Sequence, residues 1–175
     1  VLSRVVSYNR HEMMSGLRML QEAGFLRTVR HDTEERLSFN HALTREVALA
    51  GLLKSERPAI HRAVLEAYEA LDAERLEALA GELGMHAFAG ELWLKAESYL
   101  RRATQKAIDR SNHVSAIQFT NTGLRALIRS NLADREKMAH ELDLRLLLRT
   151  AYNATGNYRE RLWTLDRAET LDTAA

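Results

Sequence analysis

The chain has 175 residues, and its 25 Lys and Arg residues nearly balance its 24 Asp and Glu residues, which leaves a net charge of +1. Hydrophobic residues make up 46% of the chain, enough apolar surface to build a core. The absence of cysteine excludes a disulfide scaffold, a cysteine-ligated zinc site, an iron–sulfur cluster and a thiol nucleophile. The near-zero net charge gives no general argument for binding to nucleic acid or to membranes.

The ends of the chain and its apolar runs bear on where the protein works. The sequence starts at Val1 without a signal-peptide pattern, and it stops at Ala175 within a segment of helical period. It has no run of about 18 apolar residues that would span a bilayer. We therefore expect a fragment of a longer cytoplasmic protein, with no membrane partner.

The first predicted elements are a helix and a β-hairpin. Apolar residues at helical spacing predict a helix over about residues 10–23, and Gly24 follows it at the place where a left-handed cap would end it. Within residues 25–39, two short stretches rich in β-formers surround a polar segment, which predicts a hairpin.

A second helix is predicted directly after the hairpin. Asn40 can cap this helix, which extends to about Lys54. Its predicted apolar side consists of Leu43, Val47, Ala50 and Leu53. A helix, a hairpin and a helix in this order are typical of the end of a winged-helix domain, which we place at residues 1–54.

The remainder of the chain, residues 55–175, is predicted to contain helices only. Apolar periodicity marks helices over about 76–90 and 93–110, a long helix that stops at Gly156, and a last helix over about 158–171. Because the links between these helices are short, neighbouring helices are expected to run antiparallel.

Two of the predicted helix junctions resemble each other. Each has a helix, a glycine-containing corner, an aromatic residue near the start of the next helix, and a small residue about ten positions later. The first contains Leu83, Gly84, Gly90, Trp93 and Ala103, and the second contains Tyr152, Gly156, Tyr158 and Ala168. This is the tetratricopeptide (TPR) pattern, with a period of roughly 34 residues. Because the junction at Ser111 lacks glycine, we predict a mainly all-α fold with a degenerate TPR-like α-solenoid; an ordinary helix bundle is the alternative.

The sequence offers no recognisable catalytic or metal site. His11 and His140 each begin a possible HExxH motif, but Ser15 and Leu144 stand where the second histidine would be. No phosphate-binding or dinucleotide-binding glycine pattern occurs. We therefore expect a chain that is not an enzyme and holds no cofactor of its own.

Charge is distributed unevenly along the predicted helices. Residues 66–97 are strongly acidic, and residues 98–129 are strongly basic. The basic residues of the second stretch are Arg101, Arg102, Lys106, Arg110, Arg125 and Arg129. They could form a patch for an acidic partner, or they could pair with the acidic stretch on a neighbouring helix, as exposed charges commonly do.

The winged-helix region raises the question of DNA binding, because such modules often lay a helix in the major groove. The helix over residues 10–23 and the hairpin carry basic residues, but acidic residues offset them. This is too little positive charge for a convincing phosphate-binding face. DNA is therefore not the expected partner, and a fragment of a DNA-binding regulator is kept as the alternative function.

Several sequence runs resemble a known family. They are residues 17–26 (LRMLQEAGFL), 37–48 (LSFNHALTREVA), 57–61 (RPAIH) and 93–103 (WLKAESYLRRA). These runs are similar to the region after the ATPase module in bacterial multidomain signalling ATPases, in particular predicted ATPases fused to class III adenylate/guanylate cyclase domains.

The resemblance implies a layout for the whole protein. A cyclase or DNA-binding module would be joined to a STAND-type or AAA-like nucleotide switch, followed by the winged helix and the TPR-like helices. ATP or ADP would bind the upstream ATPase module, outside this chain. The chain itself would be a non-catalytic regulatory and interaction region whose partners are a protein or peptide and its own ATPase module. The alternative is a transcriptional regulator of the STAND type.

The resemblance also singles out one histidine. In related ATPases a winged-helix histidine, within a Met-His-Asp pattern, contacts the phosphates of ADP. His41 stands in the histidine place, whereas Ala42 stands in the aspartate place. An imidazole at a helix N-terminus suits an anion. The resemblance thus implies a nucleotide-sensing role for His41, and simple packing at the hairpin–helix junction is the alternative.

Overall fold

A computed structural model describes residues 9–31, 34–70 and 73–156. Within these ranges the protein is mainly helical, with a small antiparallel sheet, which confirms the predicted fold class at this level. The chain divides into two compact units, which we call the N-terminal unit (Val1–Ala67) and the C-terminal unit (Tyr68–Ala175). The sequence predicted a boundary between residues 54 and 55, whereas the two units divide after Ala67.

Ten elements follow one another in the described residues. In chain order they are α1 (Arg10–Glu22), β1 (Leu26–His31), β2 (Glu34–Phe39), α2 (Ala42–Ala50), α3 (Arg57–Glu69), α4 (Ala73–Ala78), α5 (Ala80–Ala89), α6 (Trp93–Asp109), α7 (His113–Arg129) and α8 (Asp134–Thr155). The last predicted helix, over 158–171, lies outside the described residues, as do Tyr158 and Ala168 of the repeat pattern.

Helix α1 has clear signals at both of its ends. Asn9 Oδ1 accepts a hydrogen bond from the Glu12 amide at 2.9 Å, and the Glu12 carboxylate accepts one from the Asn9 amide at 3.2 Å, which forms a capping box. Gly24 follows the helix with φ +76°, a left-handed conformation that glycine adopts without strain. The predicted left-handed cap is confirmed.

The predicted hairpin is confirmed. Strands β1 and β2 pair antiparallel from Leu26↔Phe39 to His31↔Glu34. The predicted capping role of Asn40 is wrong, because its amide Nδ2 donates to the Gly24 carbonyl at 2.6 Å and so ties the base of the hairpin to the end of α1. His41 takes the N-cap position of α2 instead.

The apolar side of α2 is not buried. Leu43 is 69% exposed and Val47 is 64% exposed, and α2 has no buried residue. Helix α1 likewise has no buried residue. The prediction that Leu43, Val47, Ala50 and Leu53 form a packing side therefore finds no counterpart among the described residues, because the periodicity indicates which side chains are apolar but not what covers them.

The C-terminal unit is built by sequential packing of α5, α6, α7 and α8, each against the next. Its largest buried side chains include Leu83, Leu100, Leu144 and Leu148, all with exposures of 1% or less. Small residues lie between them, and they allow neighbouring helices to approach closely; the fully buried ones are Ala87, Ala96, Ala116, Ala126 and Ala151. Alternation of large and small side chains therefore fills this core.

The predicted helix over 76–90 is two helices, because the backbone leaves the helical region at Leu79 (φ −96°, ψ 8°). Two residues later, Gly81 packs against the ring of Phe119 on α7. A Cβ added at Gly81 would lie 2.8 Å from Phe119 Cζ. The start of α5 therefore lies close to α7, and a side chain at position 81 would require the Phe119 ring to shift.

Both corners that flank α6 depend on a left-handed residue that is not glycine. Glu91 has φ 59° and Ser111 has φ 56°, whereas Gly90 has φ −82°. In each corner, the amide of the following residue donates to a carbonyl five positions earlier, at 2.9 and 2.7 Å, which is the Schellman pattern. The helix ends at Gly90 as predicted, but the left-handed residue of that corner is Glu91, and the junction at Ser111 forms the same corner without glycine.

This corner geometry predicts that Ser111→Gly stabilises the protein. A left-handed residue with a side chain costs about 1–2 kcal/mol, and glycine's greater freedom in the unfolded chain offsets about 0.5–1 kcal/mol of that gain. We therefore expect the free energy of unfolding to rise by about 0.5–1 kcal/mol in urea denaturation. Ser111→Ala keeps the Cβ and is the control; an equal gain in both variants would contradict the explanation.

Candidate functional site

The predicted nucleotide-sensing residue lies at the start of a helix. His41 is the N-cap residue of α2, with an extended backbone (φ −129°), and its side chain is exposed and makes no capping hydrogen bond. The N-terminus of a helix favours bound anions. The nucleotide-sensing role of His41 stays a prediction.

Two of the predicted basic residues pair with the acidic stretch. Arg102 Nη1 and Lys106 Nζ each lie 2.9 Å from a different carboxylate oxygen of Glu77 on α4. Lys106 also donates to the main-chain carbonyl of Glu77. Arg102 and Lys106 of α6 therefore pair with an acidic residue of another helix, which is the second of the two interpretations of the uneven charge.

The Glu77 contact predicts a dependence of stability on pH. The Lys106 hydrogen bond, aided by Arg102, lowers the pKa of the Glu77 carboxyl below its ordinary value of 4.5. The folded state therefore gains stability above that ordinary value and loses it as the pH falls through the lower, folded-state pKa. Because Glu77 is 41% exposed, we expect Glu77→Gln to cost about 0.5–1 kcal/mol at pH 7. In urea titrations the cost should shrink as the pH falls below 4.5 and through the lowered folded-state pKa; a cost independent of pH would contradict this assignment.

Arg101 lies beside a buried carboxylate. The Glu97 side chain is only 3% exposed, its Oε1 lies 3.6 Å from Arg101 Nε, and its Oε2 lies 3.2 Å from His140 Nδ1 on α8. A buried carboxylate needs such partners, because desolvation of a charge is costly. The contacts of Glu97 therefore link α6 to α8, and its carboxylate partly balances the charge of Arg101.

Arg125 and Arg129 are held by aromatic rings rather than by carboxylates. The Arg125 guanidinium carbon lies 5.2 Å from the centre of the Phe88 ring. The Arg129 carbon lies 5.5 Å from the Phe88 ring and 5.2 Å from the Trp93 ring. The two rings meet edge to face at 5.5 Å. Cation–π contacts of this kind orient the guanidinium groups.

The sixth predicted residue, Arg110, lies elsewhere. It is the exposed C-cap residue of α6, and it borders a hollow of about 420 Å³ with Lys106 and Phe119. The structure thus distributes the six predicted residues among ion pairs with Glu77 and Glu97, an aromatic cluster and this hollow. Whether they bind an acidic partner together stays a prediction.

A larger cleft of about 540 Å³ opens between α6 and α8. Its lining residues are Arg101, Arg102 and Gln105 from α6, and Asp143, Leu146, Leu147, Arg149 and Thr150 from α8. The lining contains three arginines and one aspartate. Because Arg101 and Arg102 have the carboxylate partners Glu97 and Glu77, the positive charge of the cleft comes mainly from Arg149. Sequence reasoning missed Arg149 because this residue lies beyond the basic stretch of residues 98–129. The available signal was its position three residues after Leu146, which places the two side chains on the same side of the helix.

The described residues contain no group of three or more acidic or histidine side chains that could hold a metal ion. None of the helices in the same ranges is long and apolar enough to cross a membrane. Comparison with protein-family models, with curated proteins and with solved structures finds no match to this chain.

Proposed function

We propose that the chain is a non-catalytic regulatory and protein-interaction region of a cyclase-linked bacterial signalling ATPase. In this proposal the C-terminal unit binds an acidic protein or peptide segment in the α6–α8 cleft. The observation that carries it is the lining of that cleft, where three arginines surround an open space between two helices. His41 would serve the nucleotide switch of the parent protein, whose ATPase module binds ATP or ADP.

Close contacts within two successive hairpins support a TPR-like arrangement as part of the proposal. A Cβ added at Gly84 on α5 would lie 2.6 Å from Leu100 Cγ on α6. A Cβ added at Gly123 on α7 would lie 3.5 Å from Leu144 Cδ1 on α8. In both hairpins a glycine of the first helix thus faces a leucine of the second, as expected for repeated helical hairpins.

The chemistry of the cleft favours an acidic occupant. Guanidinium groups form charge-assisted, often bidentate hydrogen bonds with carboxylates. Arg149 has no acidic partner among the described residues, in contrast to Arg102 with Glu77. Leu146 is 39% exposed in the same cleft and offers an apolar contact beside the charges. An extended segment with carboxylates and an interspersed apolar side chain fits this combination.

Fluorescence anisotropy with a labelled glutamate-rich peptide that contains interspersed leucines tests the proposal. We expect binding that weakens with added salt, and a loss of at least about tenfold in affinity for Arg149→Glu. Arg135→Glu makes the same charge change at an exposed position of α8 outside the cleft, and it is the matched control. Equal affinities for the two variants would contradict the proposal.

Two further arms of this experiment address the other functions. Duplex DNA replaces the peptide in one arm, and salt-dependent DNA binding that exceeds peptide binding would favour the alternative, a fragment of a DNA-binding regulator. The same preparation should neither hydrolyse ATP nor form a cyclic nucleotide. Turnover that survives repeated purification would contradict a non-catalytic role.

A further inference from the structure

Arg125 and Arg129 on α7 form an exposed pair of guanidinium groups that the fold holds in place. They are one helical turn apart, so their side chains emerge from the same side of α7. Both guanidinium groups stack on Phe88, and Arg129 also stacks on Trp93. Stacking on a ring face leaves the in-plane N–H groups of a guanidinium available at its edge. The rotamer freedom that binding would otherwise remove is therefore already restricted.

The hydrogen-bonding capacity of this pair is largely unused. Arg125 Nη2 donates to Thr122 Oγ1 at 3.2 Å, and neither arginine has an ion-pair partner in the part of the chain that the structure describes. Arg101, Arg102 and Lys106, in contrast, each face a carboxylate. The α7 pair thus presents positive charge that the described fold does not neutralise.

An apolar side chain completes the surface. Ile128 is 76% exposed and lies three residues after Arg125, on the same side of the helix. Arginine, tryptophan and exposed apolar side chains together are typical of protein contact surfaces. The combination of two positive charges and an apolar side chain is complementary to a segment that carries carboxylates and an apolar residue.

We propose that Arg125, Ile128 and Arg129, supported by Phe88 and Trp93, form a second docking surface, for an acidic protein segment with an apolar side chain. The surface shares no residue with the α6–α8 cleft, so it does not depend on the cleft being occupied. Carboxylates of the partner take the guanidinium edges, and the apolar side chain of the partner covers Ile128.

Trp93 provides a local readout for this surface. Trp163→Phe leaves Trp93 as the single tryptophan of the chain, so that its fluorescence reports on the stacked cluster. The glutamate-rich, leucine-containing peptide is titrated into this protein, and its glutamine-substituted counterpart is the control. We expect a saturable, salt-sensitive fluorescence change with the acidic peptide only.

Variants decide whether the arginine pair is responsible. We expect the half-saturation concentration to rise about tenfold in Arg129→Gln and further in the Arg125→Gln/Arg129→Gln double variant. Arg129→Lys keeps the positive charge but loses the planar guanidinium group. Its half-saturation concentration should lie between those of the wild type and Arg129→Gln. Arg149→Glu should leave the Trp93 signal unchanged, so that failure of this surface is distinguishable from failure of the cleft.

Several outcomes would overturn the proposal. One is a Trp93 fluorescence change that the double variant still shows at the same half-saturation concentration. The same holds for a fluorescence change that is lost in Arg149→Glu but in none of the α7 variants. Another is the lack of any peptide response at low salt, and a third is a response to duplex DNA instead of peptide. In sedimentation experiments without peptide, self-association that the double variant abolishes would assign the surface to a second copy of this chain.

Discussion

Shortening Leu100 to alanine is expected to lower the free energy of unfolding of the C-terminal unit by about 2–5 kcal/mol, because the substitution leaves a cavity in a packed core. Leu100 is fully buried, and it lies against the glycines of two neighbouring helices, Gly84 and Gly123. Urea denaturation followed by the far-UV circular dichroism signal measures the loss.

The control for this prediction removes the same atoms from the surface of the same helix. Leu94 on α6 is 49% exposed, and Leu94→Ala should change stability by no more than about 0.5 kcal/mol. If Leu100→Ala and Leu94→Ala had similar effects, the assignment of Leu100 to the centre of this core would be wrong.

Gly84→Ala is expected to cost about 1–3 kcal/mol, because an added methyl group overfills the contact between α5 and α6. The new Cβ would lie 2.6 Å from Leu100 Cγ and 3.2 Å from the Leu100 main-chain nitrogen, so movement of the leucine side chain alone does not relieve the contact. The same denaturation experiment measures this cost.

Gly123→Ala is the matched control, because its added Cβ would make only ordinary contacts of 3.5 Å with Leu144. Alanine has the better helix propensity, so this variant should be neutral or stabilised by up to about 1 kcal/mol. Combining Gly84→Ala with Leu100→Ala should cost less than the sum of the two single changes, because the shorter side chain makes room for the methyl group. Strict additivity would contradict the direct contact.

Local signals in the sequence were sufficient for several elements. The apolar spacing that begins at Trp93 predicted α6 to within one residue of its end at Asp109. Gly24 and Gly156 were identified as helix ends, and both have positive φ, at 76° and 74°. These features depend on short-range conformational preferences, which the sequence carries directly.

Features that depend on tertiary contacts were not predictable in this way. Composition gives no reason for Glu91 and Ser111, rather than Gly90, to take the left-handed positions. The Oγ1 atoms of Thr104 and Thr120, both fully buried, lie 3.2 Å apart at the α6–α7 contact, although threonine usually indicates an exposed position. Such arrangements follow from how helices meet.

The candidate site shows the same division. Summed charge identified α6 and α7 as basic, but it could not separate Arg102, which pairs with Glu77, from Arg129, which stacks on Trp93. Summed charge also could not predict that Arg149 lies near Arg101, because these residues are far apart in the chain and line the same cleft only in the folded structure. The grouping of charges into the proposed binding surfaces therefore required the structure.

Amide chemical-shift mapping of the isotopically labelled full chain during titration with the glutamate-rich peptide tests the central claim most directly. We expect saturable shifts at residues 101–105 of α6 and 143–150 of α8, and their loss in Arg149→Glu but not in Arg135→Glu. Resonances of both segments that stay unchanged at saturating peptide would contradict the assignment of the α6–α8 cleft as the binding site.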